Sequence, residues 1–133
     1  MGDDRIDRAS AERLAVRDVM LPRPKTIPLQ GTVGHLRAVV SQRNVKEAVV
    51  VDGAAFVGLL GPDDVPAGVP ADAPLRPYVR GGQPTVRADA PMREALALLE
   101  ATGAARLAVV AGDGSTLAGL LCPNSEGSRF CRG

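Results

Sequence analysis

The chain has 133 residues, with 16 Lys+Arg against 15 Asp+Glu and a formal net charge of +1, a length that suits one compact domain or two half-size units sharing a core. The balanced charge leaves no electrostatic footprint for duplex nucleic acid or an anionic membrane, and Phe56, Tyr78 and Phe130 are too few for a base-stacking platform. At 45% hydrophobic residues, Val, Leu and Ala must build the core, which disfavours disorder in the middle of the chain.

The longest apolar stretches, such as 54–60, fall far short of a membrane-spanning helix. The opening Met1-Gly2-Asp3-Asp4-Arg5 is acidic and lacks an apolar signal core, so a reducing cytoplasm is the expected location. Gly2 does not read as an acylation site, because Ile6 stands where that signal wants Ser or Thr. Cys122 and Cys131 cannot make a disulfide framework, and with no histidine near them their spacing is poor for a metal.

In chain order, residues 3–16 carry weak apolar spacing and are expected to be helical with a frayed start. A short extended segment at 25–29 precedes an amphipathic helix, on which Val33, Leu36, Val39 and Val40 form the apolar stripe and Thr32 is the cap. Ala48-Val49-Val50-Val51 reads as a strand buried on both faces. Asp52-Gly53 is its turn, and 56–60 is the returning strand. Six prolines between Pro62 and Pro84 prevent a long helix, leaving room for a single turn near Asp63-Asp64-Val65.

The same order then recurs. After an extended 84–87 comes a helix with Met92, Ala95, Leu96, Leu98 and Leu99 on one face, opened by Asp89 and Pro91 and stopped by Gly103. A hairpin follows, with strands at 107–111 and 117–121 about Asp113-Gly114. A shift of 59 residues lays Thr26-Ile27 on Thr85-Val86 and Ala48-Val49-Val50-Val51 on Leu107-Ala108-Val109-Val110. Two extra residues in the second hairpin raise the shift to 61, and Gly58-Leu59-Leu60 then meets Gly119-Leu120-Leu121. Each repeat is thus β-α-β-β, an α/β (α+β) arrangement too small to cover its own apolar faces, so the two should pack together.

These residues resemble paired cystathionine-β-synthase (CBS) motifs, the Bateman module. The resemblance rests on Val16-Arg17-Asp18-Val19-Met20, Thr26-Ile27, Val49-Val50-Val51-Asp52 and Gly58-Leu59-Leu60 with Asp64. In the second repeat it rests on Leu75-Arg76-Pro77-Tyr78-Val79-Arg80, the strand 107–110 and Gly119-Leu120-Leu121, and the closing 122–131 looks like the tail of small stand-alone actinobacterial members. It implies motif 1 over 15–66, a Pro-rich linker at 67–74 and motif 2 over 75–125, with 1–14 and 126–133 as terminal segments. It further implies two motifs about a pseudo-two-fold axis, assembly as a homodimer, and a non-catalytic regulatory role. An adenine nucleotide (AMP, ADP or ATP) would bind in a cleft between motifs, and an unidentified protein partner would receive the signal.

The family's nucleotide signature is Gly-h-h-Ser/Thr-x-x-Asp, whose carboxylate grips both ribose hydroxyls, a task suited to an acceptor of two charge-assisted hydrogen bonds. The first repeat reads Gly58-Leu59-Leu60-Gly61-Pro62-Asp63-Asp64, keeping the aspartate as Asp64 but placing Gly61 at the hydroxyl. The second reads Gly119-Leu120-Leu121-Cys122-Pro123-Asn124-Ser125, which lacks both groups. Asp63 and Asp64 equally suit the start of a short helical turn. Thr26, Ile27, Thr85 and Val86 match the strand lining the adenine pocket, or are ordinary first-strand residues. Arg106 matches a basic phosphate contact, and its counterpart is Glu47 with Lys46 beside it.

His35 belongs on the polar flank of its helix and has no partner in sequence. Cys122 and Cys131 are most simply small hydrophobes, and a redox pairing requires that the tail fold back. An enzyme would need a nucleophile with a positioned base, a phosphate loop, paired carboxylates or a metal cluster, and none is evident. A module that keeps dimerisation and has lost its ligand is the alternative to nucleotide sensing, favoured by the incomplete signatures.

Overall fold

Ala48–Asp52 and Leu107–Val110 are the central strands of two sheets of the same design. A computed structural model describes residues 5–42, 45–123 and 129–131. Their elements are β1 (Arg5–Asp7), α1 (Arg8–Ala11), α2 (Val16–Val19), β2 (Thr26–Pro28), α3 (Val33–Val40), β3 (Ala48–Asp52) and β4 (Ala55–Leu60). Two 3-10 turns follow at Pro62–Asp64 and Arg76–Tyr78, then β5 (Thr85–Arg87), α4 (Met92–Thr102), β6 (Leu107–Val110), β7 (Leu117–Pro123) and β8 (Arg129–Cys131). They form two compact units, one of residues 24–83 and one joining 1–23 to 84–133.

In the 24–83 unit the sheet order is β2-β3-β4, with β2 parallel and β4 antiparallel to β3. In the other unit β5-β6-β7 repeats that pattern, and β8 and then β1 extend it beyond β7. Both hairpins shift register at the same place, between Val50 and Val51 and between Val109 and Val110. Gly53 and Gly114 turn them at φ of 62° and 79°, which is why the Asp-Gly pairs sit there.

Each helix lays its apolar stripe on its own sheet. Val33, Leu36 and Val39 meet Ile27, Val50 and Leu60, whereas Met92, Ala95 and Leu96 meet Val86, Leu107, Val109 and Leu121. Thr32 caps α3 as expected, its Oγ1 accepting the His35 N–H at 3.2 Å. Gly103 ends α4 at φ 69°. Asp89 does not cap α4; its carboxylate pairs with Arg87 at 3.1 Å, and the Met92 N–H finds the Leu14 carbonyl instead. The helix expected over 3–16 is also replaced. Arg5–Asp7 pairs with β8, and short helices occupy 8–11 and 16–19, because Ala11, Val16 and Val19 are drawn into the core at separate points.

The segment that precedes each repeat completes the other repeat's unit. Val16 and Val19 lie in the core with α4, and Leu75 lies in the core with α3, each 0% exposed. The backbone bonds obey the 59-residue shift as well. The Leu14 carbonyl accepts from Met92 N–H at 2.9 Å, and the Ala73 carbonyl accepts from Val33 N–H at 3.0 Å. The compact units therefore exchange these openings relative to the 15–66 and 75–125 boundaries of the repeat.

The proline-rich linker explains its own docking. Prolines supply carbonyls without N–H groups, so the segment needs outside donors. The first turn of α3 has N–H groups to give, and Gly34 donates to the Ala71 carbonyl at 2.8 Å. Arg37 adds its guanidinium, donating to the carbonyls of Val69 at 2.7 Å and Pro66 at 3.1 Å. A Cβ on Gly34 would stand 3.0 Å from the Ala71 oxygen, so this approach depends on the glycine.

Candidate functional site

In the 24–83 unit, three chain ends meet at one end of the sheet. Thr26 begins β2 opposite Val49, and Ala48 stands opposite Leu60. Lys46 and Glu47, just before β3, therefore share that end with Gly61 and Asp64, just after β4. A Cβ built on Gly61 would be 3.7 Å from the Asp64 Oδ2, the Glu47 Cγ and the Lys46 carbonyl oxygen alike. Lys46, Asp63 and Asp64 are exposed and Glu47 is half-buried.

Asp64 is held in place by its own turn. Its Oδ2 accepts the Gly61 N–H at 2.7 Å, closing the 3-10 turn Pro62–Asp64. Both readings of the residue thus meet in one geometry, because a carboxylate has about four acceptor positions and one bond does not exhaust them. The fixed side chain presents its remaining lone pairs to solvent without further loss of rotamer freedom.

The strand beside it offers backbone groups. Lys25 C=O accepts from Val49 N–H at 3.1 Å and Leu29 N–H donates to Val51 C=O at 2.8 Å, so Ile27 between them faces β3. The alternation turns the N–H and C=O of Thr26 to the outer edge of the sheet. The Thr26 side chain is exposed, but Ile27 is 0% exposed within the core.

The second repeat places the equivalent residues in the same order. Thr85 pairs with Ala108, and Leu107 with Leu121, which brings Arg106 and Cys122 to the same sheet end. The Ala88 N–H bonds the Val110 carbonyl at 2.8 Å, so Val86 faces β6 while Thr85 and Arg87 face the outer edge. Val86 is 4% exposed in the core, like Ile27, and Thr85, Arg106 and Cys122 are half-buried. Ser125, at the carboxylate position of this repeat, lies outside the described residues. The first end thus carries carboxylates beside one lysine, and the second carries a guanidinium, the better shape for phosphate.

Sequence reasoning missed the backbone partner of Asp64. The Gly61-Pro62-Asp63-Asp64 string signalled it, since a carboxylate three residues after a turn's first N–H folds back on it. His35 is exposed on α3, as its flank position implied. Among the described residues, no group of three or more His, Cys, Asp or Glu could hold a metal ion, and no helix is long and apolar enough to cross a membrane.

The CBS domain family model matches residues 70–123. No curated protein matches the sequence. Among solved structures, CBSX2 in complex with AMP is similar over 81% of this chain and 89% of its own, at 23% identity and a TM-score of 0.70. A CBS domain pair/ACT domain protein from Thermotoga maritima matches over 80% and 88%, at 19% identity and TM-score 0.71. The cytosolic domain of the Mg2+ channel MgtE in complex with ATP matches over 77% of this chain and 43% of that one, at 19% identity and TM-score 0.66. Residues 70–123 thus match the CBS domain model, and the chain that contains them has the mixed α+β fold of a CBS domain pair.

Proposed function

We propose that the chain is a non-catalytic regulatory module of the cytoplasm that binds an adenine nucleotide and passes its occupancy to a protein partner, acting as a homodimer. The observation that carries this reading is the convergence of Asp64, Lys46 and the outward backbone of Thr26 at one sheet end, with Asp64 fixed by the Gly61 N–H at 2.7 Å. Asp64 would take the ribose hydroxyls, Thr26 the base edge through its backbone, and Lys46 the phosphate. In the second repeat, Thr85 and Arg106 would have the corresponding parts, with Ile27 and Val86 supporting the strands from within. The AMP and ATP carried by two similar structures support the choice of ligand.

Calorimetry with AMP, ADP and ATP tests it. Binding is expected in the wild type, with affinity reduced roughly tenfold or more in Asp64→Asn, which retains an acceptor for the Gly61 N–H but loses the charge. Neither heat nor a rise in Tm at millimolar nucleotide would dismiss the reading, since ligand binding must stabilise the folded state.

A second reading has its own observation. Gly61 and Cys122 stand where the signature has a hydroxyl, so neither sheet end is complete. On this reading the chain is an interaction module that dimerises without ligand. A nucleotide-indifferent dimer, unchanged by Asp64→Asn, would select it.

A further inference from the structure

The tail strand β8 lies antiparallel on β7, and the register sets Cys131 directly opposite Cys122. The type of pairing follows from the neighbouring bonds. Leu120 directs both its N–H and its C=O to Leu21, on the edge of β7 away from β6. Two residues further, Cys122 presents its backbone to that same edge, which is where β8 runs. The cysteines thus form a hydrogen-bonded antiparallel pair. Such pairs have Cα atoms about 5.5 Å apart, close to the commonest spacing for disulfides. Directly opposed residues also share one face of a sheet. Cys122 itself is half-buried, so reagents can reach that end of β7.

From this register we infer that Cys122 and Cys131 form a reversible intramolecular disulfide, a staple that ties β8 to β7. Because β8 also pairs with β1, with Arg5 opposite Cys131, the bond would anchor a strand that itself holds the N-terminal strand. Phe130, 1% exposed in the core of that unit, fixes β8 from within, and the disulfide secures it from the edge.

The oxidant is a low-molecular-weight disulfide. One cysteine thiolate attacks it, forming a mixed disulfide and releasing one small thiol. The second thiolate then attacks the mixed disulfide at the protein sulfur and releases the other small thiol. The protein loses two protons and two electrons, and the oxidant is reduced to two thiols. Excess small thiol runs the sequence backwards.

The test uses the full chain, fully reduced and then equilibrated with graded oxidised and reduced glutathione. The expected product is a monomeric species lighter by about 2 Da, with a Cys122–Cys131 cross-linked peptide in a non-reducing digest, reversed by dithiothreitol. The oxidised form should melt a few degrees higher than the reduced form. Cys122→Ser and Cys131→Ser should each abolish both the mass loss and the shift, while melting like reduced wild type. Glutathione adducts that persist without ring closure, cross-links confined to pairs of chains, or equal melting of the two forms would overturn the inference.

Discussion

The side-chain amide of Gln83 binds the backbone of Leu59 as a neighbouring strand would. Its Oε1 accepts the Leu59 N–H at 2.6 Å and its Nε2 donates to the Leu59 carbonyl at 3.3 Å. In the other unit, the backbone of Leu21 exchanges the same two bonds with Leu120, at 2.8 and 3.0 Å. Leu59 and Leu120 are equivalent in the repeat, so one side chain replaces a peptide group and satisfies the edge of β4.

Gln83→Ala leaves both backbone groups of Leu59 without this partner in a half-buried place. The expected cost is about 1–3 kcal/mol, read as a lower urea midpoint with unchanged slope. Gln83→Glu should fare no better, because it gains no donor for the Leu59 carbonyl. Equal midpoints for wild type and Gln83→Ala would show that the amide carries no net stability.

Two glycines let the exchanged openings come this close. A Cβ on Gly119 would stand 2.7 Å from the Leu21 oxygen and 2.6 Å from the Met20 Sδ, and one on Gly58 would stand 2.8 Å from the Arg80 oxygen. The Met20 side chain can move, but the two backbone oxygens cannot without shifting their segments. Gly58→Ala and Gly119→Ala are each expected to destabilise by about 1–3 kcal/mol, as overpacking does. Gly68→Ala, with open space around its Cβ position, is the control that should leave the midpoint near wild type. Thermal or urea unfolding of the three variants decides it.

The sheets were legible in the sequence because their signals are local. The apolar runs at 48–51 and 107–110, the Asp-Gly turns and the helical stripes all survive in the fold. The exchange of openings was not legible. Val16 and Leu75 are both apolar, and the bonds they bring with them involve backbone groups that either repeat could supply, so nothing in the chain says which partner each takes. The tail strand was hidden for another reason: Arg129–Cys131 is three residues long, too short for a period-two pattern. The same brevity obscured Ile27 and Val86. Inside three-residue strands, only the fold shows that their side chains enter the core while Thr26 and Thr85 flank them. Asp64 was legible as a carboxylate in the right place, but its bond to Gly61 needed the turn.

Gly61 offers room to restore the missing hydroxyl of the nucleotide signature. Its φ of −98° suits any L-residue, and atoms near a built Cβ stand at 3.7 Å, ordinary contact distance. Gly61→Ser should therefore fold like wild type, since serine is at least as good as glycine at the start of a helical turn. On the nucleotide reading it should bind AMP roughly tenfold more tightly, the value of one added hydrogen bond. Calorimetry on Gly61→Ser and on the Gly61→Ser, Asp64→Asn pair checks this. At one shared site the gain and the loss should roughly cancel, whereas a pair that binds as tightly as Gly61→Ser alone would place the gain elsewhere.

The second hairpin carries a pH response of its own. Asp113 accepts hydrogen bonds from the Thr116 hydroxyl, from the Ser115 N–H at 2.9 Å and from the Thr116 N–H at 2.8 Å. These bonds favour the charged carboxylate, the hydroxyl most strongly, and hold its pKa at about 2 against an ordinary 3.8. A carboxylate depressed in the folded state stabilises that state above its unfolded pKa, and the benefit drains away as acid is added through the folded value. The loss should therefore fall between pH 3.8 and about 2, leaving neutral pH untouched. Thr116→Val removes the largest contribution, so the Asp113 midpoint should rise toward 3.8 while Asp113→Asn erases this part of the acid transition altogether. Carboxyl resonances followed by NMR across the titration give the midpoint directly, and a wild-type value near 3.8 would mean that the turn does not hold the carboxylate as described.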